Sequence, residues 1–384
     1  MSDRSKMLRL PWRGRWAPHA LLDVGRLCDI HCPGCYNTRD GGFKSLHEIE
    51  DELAELLRRR RLQTVTLSGG EPTLHPDLPS IVATAFRHHL KVALLTNGQN
   101  LDHSLLQKLA DAGLSIVMLH IQPGQRRGDI PGDAPSTAWQ QLRADKARLV
   151  KQCGIEVGLT WIARKSRLAE LASATEEVLA SPDLHYLLVT GYRNFARFCG
   201  VSGSIEGGLR MLQSNPADGE RDEVTMRDFD PIMKQHALLP FGYIASSRNP
   251  HAARWLTSLV AVRRKGDGRA IYSSLKVSWA DRLLVRSSRW VAGRQMFLFR
   301  PAPWQFSLQL VLNALTGGWT KDTIRLLASV FSGGRLVDKH LVLQEGPTIL
   351  ENGEIEFCED CPDAVWRRGQ LVPVCLADRM CASF

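Results

Sequence analysis

The 384-residue chain has no apolar run of the roughly 18 residues that a membrane-spanning helix needs. Its basic start, Met1 to Trp16, lacks the apolar stretch of a secretory signal. These absences set the expectation of a cytoplasmic protein, in which cysteines serve as metal ligands or reactive thiols and not as disulfides. With 44% hydrophobic and 23% charged residues, the composition excludes wholesale disorder, a collagen-like repeat and a small disulfide scaffold. No nucleic-acid-binding module is recognisable, although the formal charge is +9. Acidic residues are scarce in one place. Arg248 to Arg300 holds twelve Lys and Arg against two Asp, a net of +10, which leaves the rest of the chain near neutral. Five of the ten Trp fall between Trp255 and Trp319.

What is present first is a strand–helix rhythm from about residue 19 to 195. The strand candidates are Ala20–Val24, Thr64–Leu67, Val92–Leu95, Ile116–His120, Val157–Ile162 and Tyr186–Thr190. Between them lie helix candidates Ser45–Arg61, Leu78–His89, Ser104–Ala112, Thr137–Cys153 and Leu168–Ala180, the first opened by a Ser45/Glu48 capping box. Six such units predict a parallel sheet with right-handed crossovers, closed into a barrel or part of one. Arg58 to Arg61 ends the first helix, where solvated cations complement its dipole. After residue 195 the rhythm stops. Ser202–Asp230 reads as loop or linker, and Phe306–Leu312 alternates like a strand, with a short helix as the alternative. Over Trp279–Arg300, Arg282, Arg286 and Arg289 share a helical stripe opposite Leu284 and Val291, with Leu283 and Trp290 on the flank. That pattern suits an interfacial membrane helix, or equally a core-facing helix with solvated arginines.

Chemistry concentrates in the cysteines. Cys28-x3-Cys32-x2-Cys35 follows the first strand, and three thiolates can hold three irons of a cubane, leaving the fourth open. Zinc is the alternative, but it wants a fourth protein ligand, and His31 lies inside the cysteine run. Gly69-Gly70-Glu71-Pro72 ends the second strand, where glycines permit close backbone approach and carbonyls can accept from an ammonium group. Near the C-terminus stand Cys358-x2-Cys361, Cys375 and Cys381, a four-thiolate set suited to an iron–sulfur cluster or to structural zinc. Cys153 ends a helix candidate and reads as core, and Cys199 follows the last strand. His120, Gln122, Arg126, Arg127, Asp129, Tyr192 and Arg193 sit at carboxyl ends of strands, where such sheets place their sites.

The run Cys28-x3-Cys32-x2-Cys35-Tyr36 and the turn Gly69-Gly70-Glu71-Pro72, in that order within six β/α units, resemble the radical SAM superfamily over roughly half the chain. The resemblance implies a partial (β/α)6 radical SAM barrel with a helical or mixed insert and a small Cys-rich C-terminal extension. Its divisions would be an arm at 1–18, the core at 19–200, a basic Trp-rich specificity region at 201–345 and the extension at 346–384. Cys28, Cys32 and Cys35 would ligate a [4Fe–4S] cluster with exchangeable S-adenosylmethionine on its open iron. Gly69, Gly70 and Glu71 would receive the methionine amino group, Tyr36 would line the adenine pocket, and Pro72, Thr96, Asn97 and His120 would add cofactor contacts. The family's glycine patch on the fifth strand is only partly matched by Ile155–Thr160. Cys358, Cys361, Cys375 and Cys381 resemble the SPASM/twitch extension, closer to twitch because full SPASM needs about seven cysteines. They would hold a second, auxiliary [4Fe–4S] cluster. Cys199 would donate a hydrogen atom to a substrate radical, or simply be buried.

The activity so implied is reductive cleavage of S-adenosylmethionine to a 5′-deoxyadenosyl radical that abstracts hydrogen, fed by a one-electron donor such as flavodoxin or ferredoxin. The Trp/Arg segment motivates a lipid, isoprenoid or membrane-proximal substrate, with an anionic membrane surface as partner and a peripheral location. Maturation of a ribosomal peptide or natural-product intermediate is the alternative. A non-catalytic iron–sulfur or zinc sensor is the reading from another class. Only about twenty residues precede the first strand, which counts against cobalamin-binding and leader-binding domains.

Overall fold

Apolar residues at period two in the strands and at helical spacing between them build the first half of the molecule. The computed structural model describes residues 7–198, 200–212, 221–264, 270–291, 293, 295, 303–318, 320–328 and 335–380. A short strand β1 (Leu8–Arg9) precedes β2 (His19–Asp23), α1 (Leu46–Arg59), β3 (Thr64–Ser68), α2 (Leu78–Arg87), β4 (Lys91–Thr96), α3 (His103–Asp111), β5 (Leu114–Leu119), α4 (Ser136–Gln152), β6 (Glu156–Ala163), α5 (Leu168–Ala180) and β7 (Leu184–Gly191). Strands β2 to β7 pair in sequence order, each parallel to the next, as the β/α rhythm requires. Ile49, Leu53 and Leu56 give α1 its buried stripe, and the expected Ser45/Glu48 capping box starts it. The alternation in β2 sorts Ala20 and Leu22 into the main core and His19 and Leu21 onto the wall of a cavity.

The sheet does not stop at β7. The remaining elements are β8 (Val201–Ser204), β9 (Gly208–Met211), α6 (Asp230–Gln235), β10 (Gly242–Ala245), β11 (Ala253–Arg264), β12 (Ala270–Ser274), α7 (Trp279–Val291), α8 (Pro303–Asn313), α9 (Lys321–Ala328), β13 (Arg335–Gln344), β14 (Thr348–Ile349), β15 (Glu354–Glu356), β16 (Ala364–Arg367) and β17 (Gln370–Pro373). Strand β13 lies parallel beside β7, and β11 runs antiparallel to β13. Beyond them β10 and then β1 complete one edge, with β12 on β11. Sequence pattern hides β13 because its centre reads Asp338-Lys339-His340, all buried. Lys339 is satisfied there: Nζ donates to the carbonyls of Ser181 (2.7 Å) and Leu184 (2.6 Å). Arg254 of β11 is likewise buried and paired with Glu345 (2.8 Å) and Glu356 (3.3 Å).

Two expectations change. The segment read as linker, Ser202–Asp230, contains the hairpin β8–β9 and the start of α6, and β9 joins β15 and β14 in a second sheet. Leu209 within the segment, and Val201 just before it, pack with Ile355 and Phe357. The alternating Phe306–Leu312 is helix α8, not a strand. Phe306 and Leu310, one turn apart, enter a second core with Trp12, Leu259 and Leu326, while Leu308 and Leu312 stay exposed. Alternate residues fall on roughly opposite sides of a helix, so the same alternation buries Phe306 and Leu310 and exposes Leu308 and Leu312.

This assignment separates residues a strand would treat alike. Phe306→Ala and Leu310→Ala are each expected to cost about 3 kcal/mol in denaturant unfolding. Leu308→Ala should stay within about 0.5 kcal/mol. Equal losses at 306, 308 and 310 would contradict the helix.

Candidate active site

The loop after β2 carries three cysteines and is fastened by the ends of three other strands. From the β3 turn, the Gly70 and Glu71 amides donate to the carbonyls of Gly25 (2.8 Å) and Leu27 (2.7 Å). That approach leaves no space for side chains. A Cβ on Gly70 would stand 1.9 Å from the Leu27 oxygen, and Gly69, at φ +124°, would bring one to 2.4 Å from the Gly25 oxygen. From the β4 end, Asn97 Nδ2 donates to Asp29 Oδ1 (2.7 Å), and Asn100 Nδ2 to Asp29 Oδ2 (2.6 Å). From the loop after β5, Arg126 and His31 exchange main-chain bonds (2.9 and 3.0 Å), and Gln125 Nε2 donates to Cys32 Sγ at 3.4 Å. Asp29 and Gln125 carry no motif signal, and sequence reading missed both.

Cys28, Cys32, Cys35, Tyr36, Gly69, Gly70, Glu71, Thr96, Asn97 and His120 line one cavity of about 300 Å³, and so do Cys358, Cys361 and Cys375. Pro72 does not line it; it opens a 3-10 turn behind Glu71. Cys199 and Cys381 lie outside the described residues. Cys153 caps α4 away from the cavity.

Glu71 is buried and fully engaged. Its Oε1 accepts from Thr73 N (3.0 Å), Thr73 Oγ1 (2.6 Å) and Thr96 Oγ1 (2.6 Å), and its Oε2 from Asn97 N (2.7 Å). Burial pushes its pKa up against these bonds, which pull it down. The carboxylate therefore braces the end of β3 to that of β4. Among the described residues, the carbonyls of Gly69 and Gly70 accept no hydrogen bond, so a bound ammonium group would meet main-chain oxygen. Tyr36 donates to or accepts from Ser68 Oγ at 3.0 Å, leaving its ring as the surface it offers.

Burial is the first cause raising the thiols of Cys28, Cys32 and Cys35. Cys32 is pushed up to about 12, with Cys35 and Cys28 adding repulsion. Three such groups become thiolates together only when cationic metal compensates them, which fits an iron cluster. Among the described residues no three His, Cys, Asp or Glu side chains converge as ligands of one ion would. A cubane asks for less convergence, because each thiolate takes its own iron. Burial also lowers His120 to about 4, so its imidazole is neutral. Two polar groups expected at the cavity act as braces instead. The Gln122 amide pairs with the Ile162 main chain (2.7 and 3.3 Å). Arg127 donates to Asp129 (2.6 Å) and to the Asn97 carbonyl (2.9 Å).

The C-terminal cysteines are held against β2. Cys361 N donates to Cys358 O (3.2 Å), and burial raises the thiol of Cys375. Arg60, expected to be solvated at the helix end, is buried. Its Nη1 donates to the carbonyls of His19 (3.0 Å), Cys361 (3.0 Å) and Pro362 (3.4 Å), and its Nη2 to Asp360 (3.3 Å). Cys361 is buried together with Arg60, and the guanidinium satisfies the carbonyls of this turn. A second tie joins Arg26 to Asp23 (3.0 Å) and Asp378 (2.5 Å), with Arg367 on Asp23 as well. The cavity also receives Tyr186 and His340, whose rings lie 5.6 Å apart, and His340 Nε2 sits 2.9 Å from Asp338 Oδ2. The spacing Asp338-x-His340 puts both on one strand face, a signal legible only once β13 is known to be a strand.

Residues 22–160 match the Radical SAM superfamily. The chain is 27% identical to a PqqA peptide cyclase of Granulibacter bethesdensis, over 42% of this chain and 43% of the relative. It is 26% identical to an Fe-coproporphyrin III synthase of Methanosarcina barkeri, over 40% of this chain and 39% of the relative. The matched stretches thus span less than half the length of these relatives. A solved structure, anSMEcpe with bound AdoMet, is similar at 13% identity and a TM-score of 0.40, over 56% of this chain and 58% of that one.

Two variants test the fastening. Gly70→Ala is expected to release the cysteine loop, seen as faster hydrogen exchange across residues 26–35, with the amides of α4 unchanged. Arg60→Leu strands buried carbonyls and should cost about 3 kcal/mol in chemical unfolding. Arg58→Leu, on the exposed side, should cost under about 0.5 kcal/mol.

Proposed function

We propose, from the premise that residues 22–160 are a radical SAM domain, that this chain cleaves S-adenosylmethionine reductively and uses the radical on a substrate held between its two cysteine sets. The observation that carries this reading is that Cys28, Cys32 and Cys35 share one cavity with Cys358, Cys361 and Cys375. Cys28, Cys32 and Cys35 would hold a [4Fe–4S] cluster, and the C-terminal three a second one. When bound, and with an electron from a flavodoxin- or ferredoxin-type donor, the first cluster would supply the reducing chemistry for cleaving S-adenosylmethionine to methionine and a 5′-deoxyadenosyl radical.

The chain's own residues bind and orient. The free carbonyls of Gly69 and Gly70 take the methionine ammonium, and the Tyr36 ring borders the adenine. Thr96 and Asn97, fixed by Glu71, set the end of β4 beside the cofactor. Neutral His120 lines the same cavity and would add no positive charge to it when the sulfonium is bound. His340 lines the same cavity, with its Nε2 held 2.9 Å from Asp338 Oδ2.

For the substrate we favour a peptide, supported by the relative named as a peptide cyclase. The lipid or isoprenoid expectation draws no support from these relatives. The Trp/Arg segment that prompted it concerns where the protein sits, not what enters the cavity.

Anaerobic reconstitution is expected to give about eight irons per chain for two cubanes. Replacing Cys28, Cys32 and Cys35 by Ala should leave about four and abolish 5′-deoxyadenosine. Replacing Cys358, Cys361 and Cys375 should also leave about four irons, with 5′-deoxyadenosine still formed. A wild type that makes none under dithionite sinks the enzyme reading in favour of a sensor, and zinc in the C-terminal site sinks the second cluster. Peptides encoded beside the gene should change mass on incubation with S-adenosylmethionine. Turnover of an isoprenoid in their place would overturn the peptide assignment.

A further inference from the structure

Helix α8 is apolar on two opposite faces, with Gln305 and Ser307 exposed between them. Phe306 and Leu310 face the second core, while Trp304, Leu308, Val311 and Leu312 face out, followed by Leu315 in the next turn. A helix with two opposite apolar faces is ordinarily covered on both. Single exposed aliphatics need no explanation, but here Trp304 is 67% and Leu315 78% exposed within one short stretch.

Helix α7 packs beside it and sorts its charge by face. Its one carboxylate, Asp281, points inward, bonded to Ser278 and to Asn313 Nδ2 of α8 (2.6 Å). Its outer side presents Trp279, Leu283, Leu284, Arg286, Arg289 and Trp290, with Arg289 stacked 4.8 Å over Trp290. The two Trp are 66% and 78% exposed. Among the described residues, Arg286 and Arg289 meet no carboxylate, and no acidic residue is exposed on α7 or α8. From Trp279 to Gly318 the chain holds five Arg and one Asp, a net of +4.

We propose that the outer faces of α7 and α8 form a docking surface for an anionic lipid bilayer. Aliphatic side chains would enter the acyl boundary, the Trp rings would sit at headgroup level, and the guanidiniums would meet lipid phosphate. Charge decides the occupant. A second copy would bring the same net positive face against this one, and a neutral partner would leave Arg286 and Arg289 uncompensated. Among the described residues no helix is long and apolar enough to cross a membrane, so the mode is lying on the surface. This inference rests on the surface alone and not on the radical chemistry.

The test is flotation of the purified full chain with vesicles of equal parts phosphatidylglycerol and phosphatidylcholine, against phosphatidylcholine alone. Binding to the anionic vesicles is expected, at least about tenfold tighter than to the neutral ones and weakening with salt. The double reversal Arg286→Glu/Arg289→Glu should lose about 25-fold or more on anionic vesicles only. Leu308→Ser/Leu315→Ser should weaken binding to both kinds. All four positions point outward, so the unfolding midpoint and 5′-deoxyadenosine yield should hold. No flotation at low salt, or equal binding to neutral vesicles, overturns the proposal. A sedimentation dimer that Leu315→Ser dissolves assigns the face to a second copy and overturns it too.

Discussion

Two main-chain hydrogen bonds, from the Gly70 and Glu71 amides to the carbonyls of Gly25 and Leu27, fix where the cysteine loop can be. They impose a direction as well as a position. Because the amides of the turn are committed to the loop, the carbonyls of Gly69 and Gly70 are left for a ligand. Because the Leu27 oxygen fills the space where a Cβ would stand on Gly70, no side chain can intervene. Glu71 then cannot wander into the cavity, since four donors hold its carboxylate between β3 and β4. A buried carboxylate so thoroughly satisfied is rigid, and rigidity is what a site needs when a reactive species must meet one hydrogen and no other.

The C-terminal cysteines depend on a similar economy of donors. The carbonyls of Asp360, Cys361 and Pro362 turn toward β2, and Arg60 supplies them from the end of α1. Arg26, between Asp23 and Asp378, ties the same extension to the base of the N-terminal cysteine loop. The two thiol sets are thereby referred to one strand, β2, although more than 300 residues separate them in sequence. A disturbance at either tie reaches both sets, because each tie joins the extension to a neighbour of the first loop.

Much of this was legible in the sequence, and what was not has physical causes. Strands β2 to β7 showed themselves because each is apolar and followed by a helix of apolar period. The thiols and the Gly-Gly-Glu-Pro turn were legible because their chemistry is tied to spacing. Strands β11 and β13 were hidden by Arg254, Lys339 and His340, charges and polar groups made tolerable by partners far away in sequence, such as the Ser181 carbonyl and Glu345. Arg60 was misread because a local account, the helix dipole, was sufficient for its three neighbours. Alternation in α8 misled because Leu308 and Leu312 are apolar yet exposed, so a face pattern inferred from hydrophobicity pointed the wrong way.

That exposure also divides the basic segment, which composition presented as a single feature. Arg254 is interior; it joins Glu345 and Glu356 and so links β11 to the chain that leads into the C-terminal cysteines. Arg286 and Arg289 are exterior, beside Trp290 and, among the described residues, paired with no acid. The first kind of arginine is neutralised inside the fold and contributes nothing to how the protein meets a partner. Only the second kind does, and Arg286 and Arg289 sit on α7, beside the exposed apolar face of α8. The excess of positive charge is therefore smaller as a field than as a count, but it is better placed. It sits where apolar surface already favours leaving water, which is where a few charges have the greatest effect on what is bound.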